Sequence, residues 1–479
     1  MRMNDWRFGV GRCALRLGGL LLGAWLCTGA SPSTLAWAVT PAGEAEVASQ
    51  SKATSDDPLS GELRWWKGNL HTHSLWSDGD EFPEMIAAWY LEQGYHFLAL
   101  SDHNTLGNSL RWMPYEQIVK RADDGILARY RKRFGDAWVE TREVPVEQAE
   151  EKSAVGKVAD AKATQSKQTA KLEVRLKPLD EYRCLVEQAG RFLMIQGEEI
   201  SDQVGGKPLH MNATNLQELI RPMGGETIAD AMRNNLRVIL EQEAATGREI
   251  LPHLNHPNFF YAVTAEDLAH VVQERFFEVF NGHPAVNQLG DHEHISIERM
   301  WDVANAVRLI QLDAPPLLGL ANDDSHEYHG QPGARPGRGW VVVRARYLTP
   351  EHLILAMKAA DFYASSGVVL DDVHYDADTK TLSLVIPPVA GVEFTTEFVA
   401  TLKPALGEPQ SGKDALPALP PADDIGRVVA TSTSLTPAYT FRGNEVYVRA
   451  RVTSSAPHVD PTLPDQHQQA WTQPIVPAR

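Results

Sequence analysis

The chain has 479 residues, enough for two or three domains with a large core. Its 43% hydrophobic and 22% charged content is that of a soluble globular protein. The formal charge of -17 argues against nucleic acid or an anionic membrane as the main partner, and an anionic substrate would need local positive charge such as bound metal ions supply.

Residues 1–38 read as an export signal. Arg2, Arg7, Arg12 and Arg16 precede or border an apolar run at 17–27, and small residues follow with cleavage sites after Ala30 or Ala38. That run is about 11 residues, too short for the ~20 a bilayer span needs, so no transmembrane segment is expected in the mature, periplasmic or extracellular chain. Of the three cysteines, Cys13 and Cys27 fall in the signal. Cys184 alone can make no internal disulfide and is expected to be a small packed residue. Residues 39–61 are polar and small, a flexible linker.

From Glu62 the pattern changes. Leu63 to Leu70 suits a buried strand ending at His71. Pro83 opens a helix with Met85, Ile86, Trp89 and Tyr90 on one face and Gly94 as its stop. Tyr95 to Leu100 is the next strand, with Asp102-His103 at its end. A strand at 191–195 leads into Gly197-Glu198-Glu199, and a helix over 226–246 carries Ile228, Met232, Leu236 and Ile239 at helical spacing. Strands at 249–252, 276–280 and 318–321 lead into His253, His283 and Asp324, with a helix over 297–312 between the last two. Alternating strands and helices predict a parallel α/β core. Polar residues after successive strands predict a barrel whose carboxyl end is the active face.

Two stretches interrupt this rhythm. Residues 146–171 are rich in Glu, Lys, Ala and Gln, a solvated helical excursion or mobile insertion. After Gly367 helix signals stop. Alternation at 381–386 and 446–452, around a Pro-rich stretch from Pro404 to Pro421, predicts a small β-sandwich-like domain over 371–479.

The chemistry lies in the strand ends. His71-Thr72-His73 and Asp324-Ser325-His326 place donors two apart, and side chains two apart on a strand point the same way. This parity selects Asp324 over Asp323. It leaves one of Glu198 and Glu199 facing inward without saying which. Imidazole and carboxylate donors suit zinc, manganese or iron. Ser77-Asp78-Gly79 alone is a common turn, and Asp102 could simply orient a neighbouring imidazole. Together these pieces predict a site for two or three divalent ions.

Trp66-Lys67-Gly68-Asn69-Leu70-His71-Thr72-His73, Ser77-Asp78-Gly79-Asp80, Phe82-Pro83-Glu84-Met85 and Ala470-Trp471-Thr472-Gln473-Pro474-Ile475 carry a resemblance to a known family. The chain resembles the PHP (polymerase and histidinol phosphatase) superfamily of metallohydrolases over residues 62–370, and within it looks most like the carbaryl-hydrolase-like branch. The resemblance implies a distorted seven-stranded β/α barrel with a trinuclear site. One metal would take His71, His73, Glu199 and Asp324. A second would share Glu199 and add His210 and His256. The third would take Asp78, His103 and His326. The family glutamate precedes an apolar residue like Ile200, which favours Glu199. His253 has no ligand role in the family pattern and is read as a supporting or substrate contact. His283 is read as facing the substrate.

The expected activity is metal-assisted hydrolysis of a small-molecule substrate, because metal binding brings the pKa of water from about 16 toward about 7 and so yields a hydroxide nucleophile. His253, His283 or a bound water would protonate the leaving group. Phosphoester cleavage is the first reading. Hydrolysis of an aryl N-methylcarbamate or carboxylic ester is the alternative. A non-catalytic exported metal- or carbohydrate-binding protein is the second alternative, although a binding protein has no need of open metal coordination. No motif bears on oligomeric state.

Overall fold

A computed structural model describes residues 61–145, 170–404 and 417–477. The export signal, nearly all of the linker, most of the insertion expected at 146–171 and residues 405–416 of the Pro-rich stretch lie outside these residues. The first strands are β1 (Arg64–Asn69), β2 (Phe97–Leu100), β3 (Arg111–Pro114), β4 (Thr141–Pro145), β5 (Ala170–Leu176) and β6 (Leu193–Val204). They continue with β7 (Lys207–Thr214), β8 (Leu251–Leu254), β9 (Phe276–Asn281), β10 (Leu318–Asn322), β11 (Trp340–Ala345) and β12 (Phe362–Ser365). The C-terminal part adds β13 (Asp372–Asp376), β14 (Thr381–Val385), β15 (Phe394–Leu402), β16 (Arg427–Ser432), β17 (Ala438–Thr440), β18 (Glu445–Pro457) and β19 (His467–Thr472).

Thirteen strands form one sheet in the order β10-β9-β8-β7-β6-β2-β1-β11-β12-β19-β18-β15-β16. The described residues form no closed barrel where a distorted seven-stranded β/α barrel was expected, and the core is mixed rather than parallel. Its β1–β2, β2–β6, β8–β9 and β9–β10 pairs are parallel, but β6–β7, β7–β8 and β1–β11 are antiparallel. The reason is competition for one edge. β11 pairs with Arg64 to Gly68 of β1 and occupies the edge that β10 would need for closure. The residues just past β1 reach the other end of the sheet. There Asp324 N–H donates to the His71 carbonyl at 3.0 Å and His73 N–H to the Ser325 carbonyl at 2.9 Å. This junction is where the metal-binding pattern collects.

The C-terminal strands continue this sheet through the β12–β19 pair. A separate three-stranded sheet, β13-β14-β17, contributes Leu382, Leu384 and Tyr439 to a core shared with Phe398, Val448 and Val452 of β15 and β18. A third small sheet, β3-β5-β4, flanks the insertion. Its strands were not anticipated, because they are short and rich in charged residues.

The three helices expected from the sequence form, among others that were not expected, such as Ile126–Phe134 and Pro350–Lys358. Helix Pro83–Glu92 starts at Pro83 and stops before Gly94, whose φ is 73°. Helix Ile228–Thr246 is capped by Thr227, which accepts from Asp230 N, and ends at Gly247 in the left-handed region. Met232, Leu236 and Ile239 are buried on its inner face, each stabilising the fold by roughly 1.5–3 kcal/mol. Helix Ile297–Ile310 buries Trp301 against Phe277 of β9 and turns Asp302 toward β18. Cys184, expected to be packed, is exposed. No helix among the described residues is long and apolar enough to cross a membrane.

Candidate metal centre

Glu199 lies at the centre. It is fully buried on β6, and five imidazoles surround its carboxylate. His103 Nδ1 is 2.7 Å from it, His210 Nδ1 3.1 Å, His71 Nε2 3.3 Å, His73 Nε2 3.4 Å and His256 Nε2 3.6 Å. Strand alternation separates it from Glu198, which turns away to accept from Ile220 N at 3.0 Å. His210 arrives from β7, the antiparallel neighbour, where it stands opposite Ser201.

Asp324 forms the second focus. Its Oδ1 is 3.1 Å from His71 Nε2 and 3.2 Å from His73 Nε2. The parity expectation named the right side chain through an incomplete reason. Asp324 has φ 50° and so is not on a regular strand. Asp323 is spent elsewhere, accepting from Arg338 N, Gly339 N and the Tyr90 hydroxyl. Asp78 is the third focus, 3.4 Å from both His103 Nε2 and His326 Nε2. Its turn packs so tightly that a Cβ on Gly79 would lie 2.6 Å from the His73 carbonyl oxygen, so only glycine fits.

All nine side chains expected as ligands enter sets whose donor atoms lie within 4.8 Å of one another. These are His73/Asp78/His103/His326, His71/His73/Asp324, His71/Glu199/His256 and His103/Glu199/His210. Electrostatics ties them together. Burial alone would raise Glu199, but His103, His210 and His71 hold it well below the usual carboxylate value, and Asp324 is held low in the same way by His71, His73 and His326. Burial pushes His73 down to about 3, the neutral form that can donate a lone pair. Burial would also lower His103, yet Glu199 and Asp78 raise it to about 11. His71 Nε2, His73 Nε2, Glu199 Oε2 and His210 Nδ1 are buried without a hydrogen-bond partner. Buried polar atoms without partners are costly, and three such imidazole nitrogens within 3.1–3.4 Å of the Glu199 carboxylate fit a site for cations.

Two of the three remaining expectations change. Among the described residues, Asp102 makes no direct hydrogen bond to an imidazole. It accepts from Ser74 N and Oγ at 2.8 and 2.7 Å and from Ser77 N and Oγ at 3.0 and 2.6 Å, bracing the turn that carries Asp78. His253 does not face a substrate. It is fully buried, does not line the cavity, and lies 3.8 Å from Glu278 with its Nδ1 unpartnered. His283 does line the cavity, which measures about 250 Å³ and is walled by Asp78, His103, His210, His256 and His326.

Glu278 escaped the sequence reading. It is fully buried on β9 and accepts from His71 Nδ1 at 2.7 Å, fixing the tautomer that leaves Nε2 for a metal. Asn255 also escaped; its amide donates to Glu199 Oε1 at 2.7 Å. A lone carboxylate inside Phe276-Phe277-Glu278-Val279-Phe280 was the available signal, since a buried charge needs a partner.

No family model and no curated protein matches the chain. Several solved structures align with it. A two-domain protein from Bacteroides vulgatus ATCC 8482, containing a predicted PHP-like metal-dependent phosphoesterase, is 15% identical over 87% of this chain and 96% of its own, with a TM-score of 0.36. A candidate metal-dependent phosphoesterase from Bifidobacterium adolescentis ATCC 15703 is 13% identical over 57% of this chain and 91% of its own, with a TM-score of 0.26. At such TM-scores the chemistry must be read from the side chains themselves.

Proposed function

We propose that the protein is a metal-dependent hydrolase of phosphoesters, with divalent ions held by the His71/His73/Glu199/Asp324, Glu199/His210/His256 and Asp78/His103/His326 sets. The observation that carries this reading is the convergence of orphaned, buried donor atoms on Glu199 beside an open cavity. Three clustered cation sites suit the three oxygens of a phosphoryl group. Divalent metals bound there supply Lewis-acid charge that activates water and stabilises a developing oxyanion.

The chain's own residues do the rest. The Glu278–His71 hydrogen bond sets one ligand's tautomer. The Ser77 hydroxyl, held by Asp102, lies 3.4 Å from His73 Nδ1 and steadies another. Ala285 N–H donates to His283 Nδ1 at 3.1 Å, which leaves the ring proton on Nε2. Burial lowers His283, so this neutral imidazole is the group we assign to hydrogen-bond the leaving oxygen. Export is part of the proposal and is supported by the basic and apolar pattern of residues 1–38.

The test is metal analysis combined with three chromogenic substrates: an aryl phosphate, an aryl carbamate and an aryl acetate. Turnover of the phosphate that disappears on chelation and in His73→Ala is expected. Fully loaded protein that leaves the phosphate intact but cleaves the carbamate or acetate would overturn the phosphoester reading, and inactivity on all three would point to a binding protein.

A further inference from the structure

A second groove opens beside the metal cavity. It measures about 790 Å³ against about 250 Å³, and His210 and Phe259 line both. The Phe259 ring lies 5.0 Å from that of His256 and 6.3 Å from that of His210, so it forms the partition between the ligands and the groove. On its other side Phe260 stands edge-to-face at 4.6 Å.

Phe260 is 70% exposed, and its backbone has φ 52°. Such a conformation in a bulky residue costs on the order of 1–3 kcal/mol and persists only where the surroundings impose it. Tyr261, at φ 50°, stacks on His294 with ring centres 3.7 Å apart and pins the loop. The fold therefore spends strain to present an aromatic face to solvent next to the metal cavity.

The groove also carries charge, with the Asp202 carboxylate and the Lys207 ammonium both lining it. Asp202 is engaged by Gly224 N at 2.8 Å and Asn235 Nδ2 at 3.1 Å. The Lys207 ammonium has no hydrogen-bond or ion-pair partner among the described residues, although Lys207 lines the groove. A cation with no partner among the described residues, lining the same groove as the Phe259–Phe260 corner, suits a flat ring that bears an anion.

We propose that this groove is the leaving-group subsite of the hydrolase, a reading that rests on the function proposed above, and that it takes a ring-bearing organic anion. The ring packs against Phe259 and Phe260, and its anionic group meets Lys207. In the reaction the oxygen of water bonds to phosphorus, the bond from phosphorus to the leaving oxygen breaks, and a proton from that water ends on the released hydroxyl group.

The experiment compares 4-carboxyphenyl phosphate, 4-carbamoylphenyl phosphate and methyl phosphate on metal-loaded wild type, Phe260→Ala and Lys207→Ala. Phe260→Ala should raise KM for both aryl substrates by about fivefold, the scale of a lost aromatic pair. It should leave methyl phosphate unchanged. Lys207→Ala should raise KM by about threefold for the carboxylated substrate only, as befits an exposed ion pair. Binding of 4-hydroxybenzoate, followed by ligand-observed NMR on the same proteins, reads the groove without turnover. If 4-hydroxybenzoate binding depends on both residues while no phosphoester is cleaved, the groove stands and the proposed activity falls. If phosphoesters are cleaved with KM values and 4-hydroxybenzoate binding indifferent to both substitutions, the subsite is wrong and the activity stands.

Discussion

Glu278→Gln is the sharpest probe of the centre. Four N–H donors converge on its two oxygens: His71 Nδ1 at 2.7 Å and Asn322 Nδ2 at 3.0 Å on Oε1, and His256 N at 2.9 Å and Asn281 Nδ2 at 2.7 Å on Oε2. Glutamine keeps the volume but replaces one oxygen with a donor. Either His71 and Asn322 lose their acceptor or the His256 backbone and Asn281 lose theirs. A hydrogen bond to a charged group is worth about 1.5–3 kcal/mol, and removing an orienting partner behind a metal ligand weakens metal affinity by about 10- to 100-fold. Because the donors outnumber the remaining acceptor, the expected loss is at the upper end of that range, equivalent to about 2.8 kcal/mol. The assay is competition for zinc against a fluorescent chelator, with denaturant unfolding of the metal-free proteins run alongside. A metal affinity within about threefold of wild type in a folded variant would refute the positioning role, and so would a loss of stability with affinity intact.

Asp102→Asn should loosen the turn bearing Asp78 and cost about one bound ion per chain, since an amide cannot accept all four Ser74 and Ser77 hydrogen bonds; unchanged metal content by elemental analysis would count against it. Arg449 holds buried Asp302 through a bidentate contact, Nε to Oδ1 at 3.0 Å and the terminal nitrogen to Oδ2 at 2.9 Å. Arg449→Met leaves that carboxylate, among the described residues, only the Tyr447 hydroxyl as a donor and should cost about 3 kcal/mol in urea unfolding, and a change below about 1 kcal/mol would show that the contact contributes little. Burial raises Glu274 from 4.5 to about 8. Below about 4.5 the folded and unfolded chains both hold this proton, and between 4.5 and about 8 only the folded chain does. Stability from this group is therefore lost as pH rises toward 8. Glu274→Gln should gain on wild type by up to about 1.4 kcal/mol per pH unit across that window and level off above it, whereas a difference in stability that stays flat from pH 5 to 9 would exclude the titration.

The strand ends were legible because a short apolar run followed by a polar residue is a local signal. His71, His103 and Asp324 follow such runs and meet in space because successive strands share a direction at the junction of β1 and β10. Partner choice was not legible. Nothing in residues 64–68 announces that β11, more than 270 positions away, wins the edge of β1 and leaves the sheet open. The antiparallel insertion of β7 was equally hidden, so strand rhythm alone did not bring His210 to the site. Parity works where the backbone is regular and misleads where it is not. It narrowed Glu198 and Glu199 to one inward residue, as observed on β6. Asp324 reaches the centre by the opposite route, through a left-handed residue that breaks alternation. What fixes it there is the consumption of Asp323 by Arg338, Gly339 and Tyr90. Of two adjacent carboxylates, the fold satisfies one entirely with its own donors and leaves the other facing His71 and His73. That unequal satisfaction, rather than the spacing of the motif, distinguishes a carboxylate that braces the backbone from one able to hold a metal.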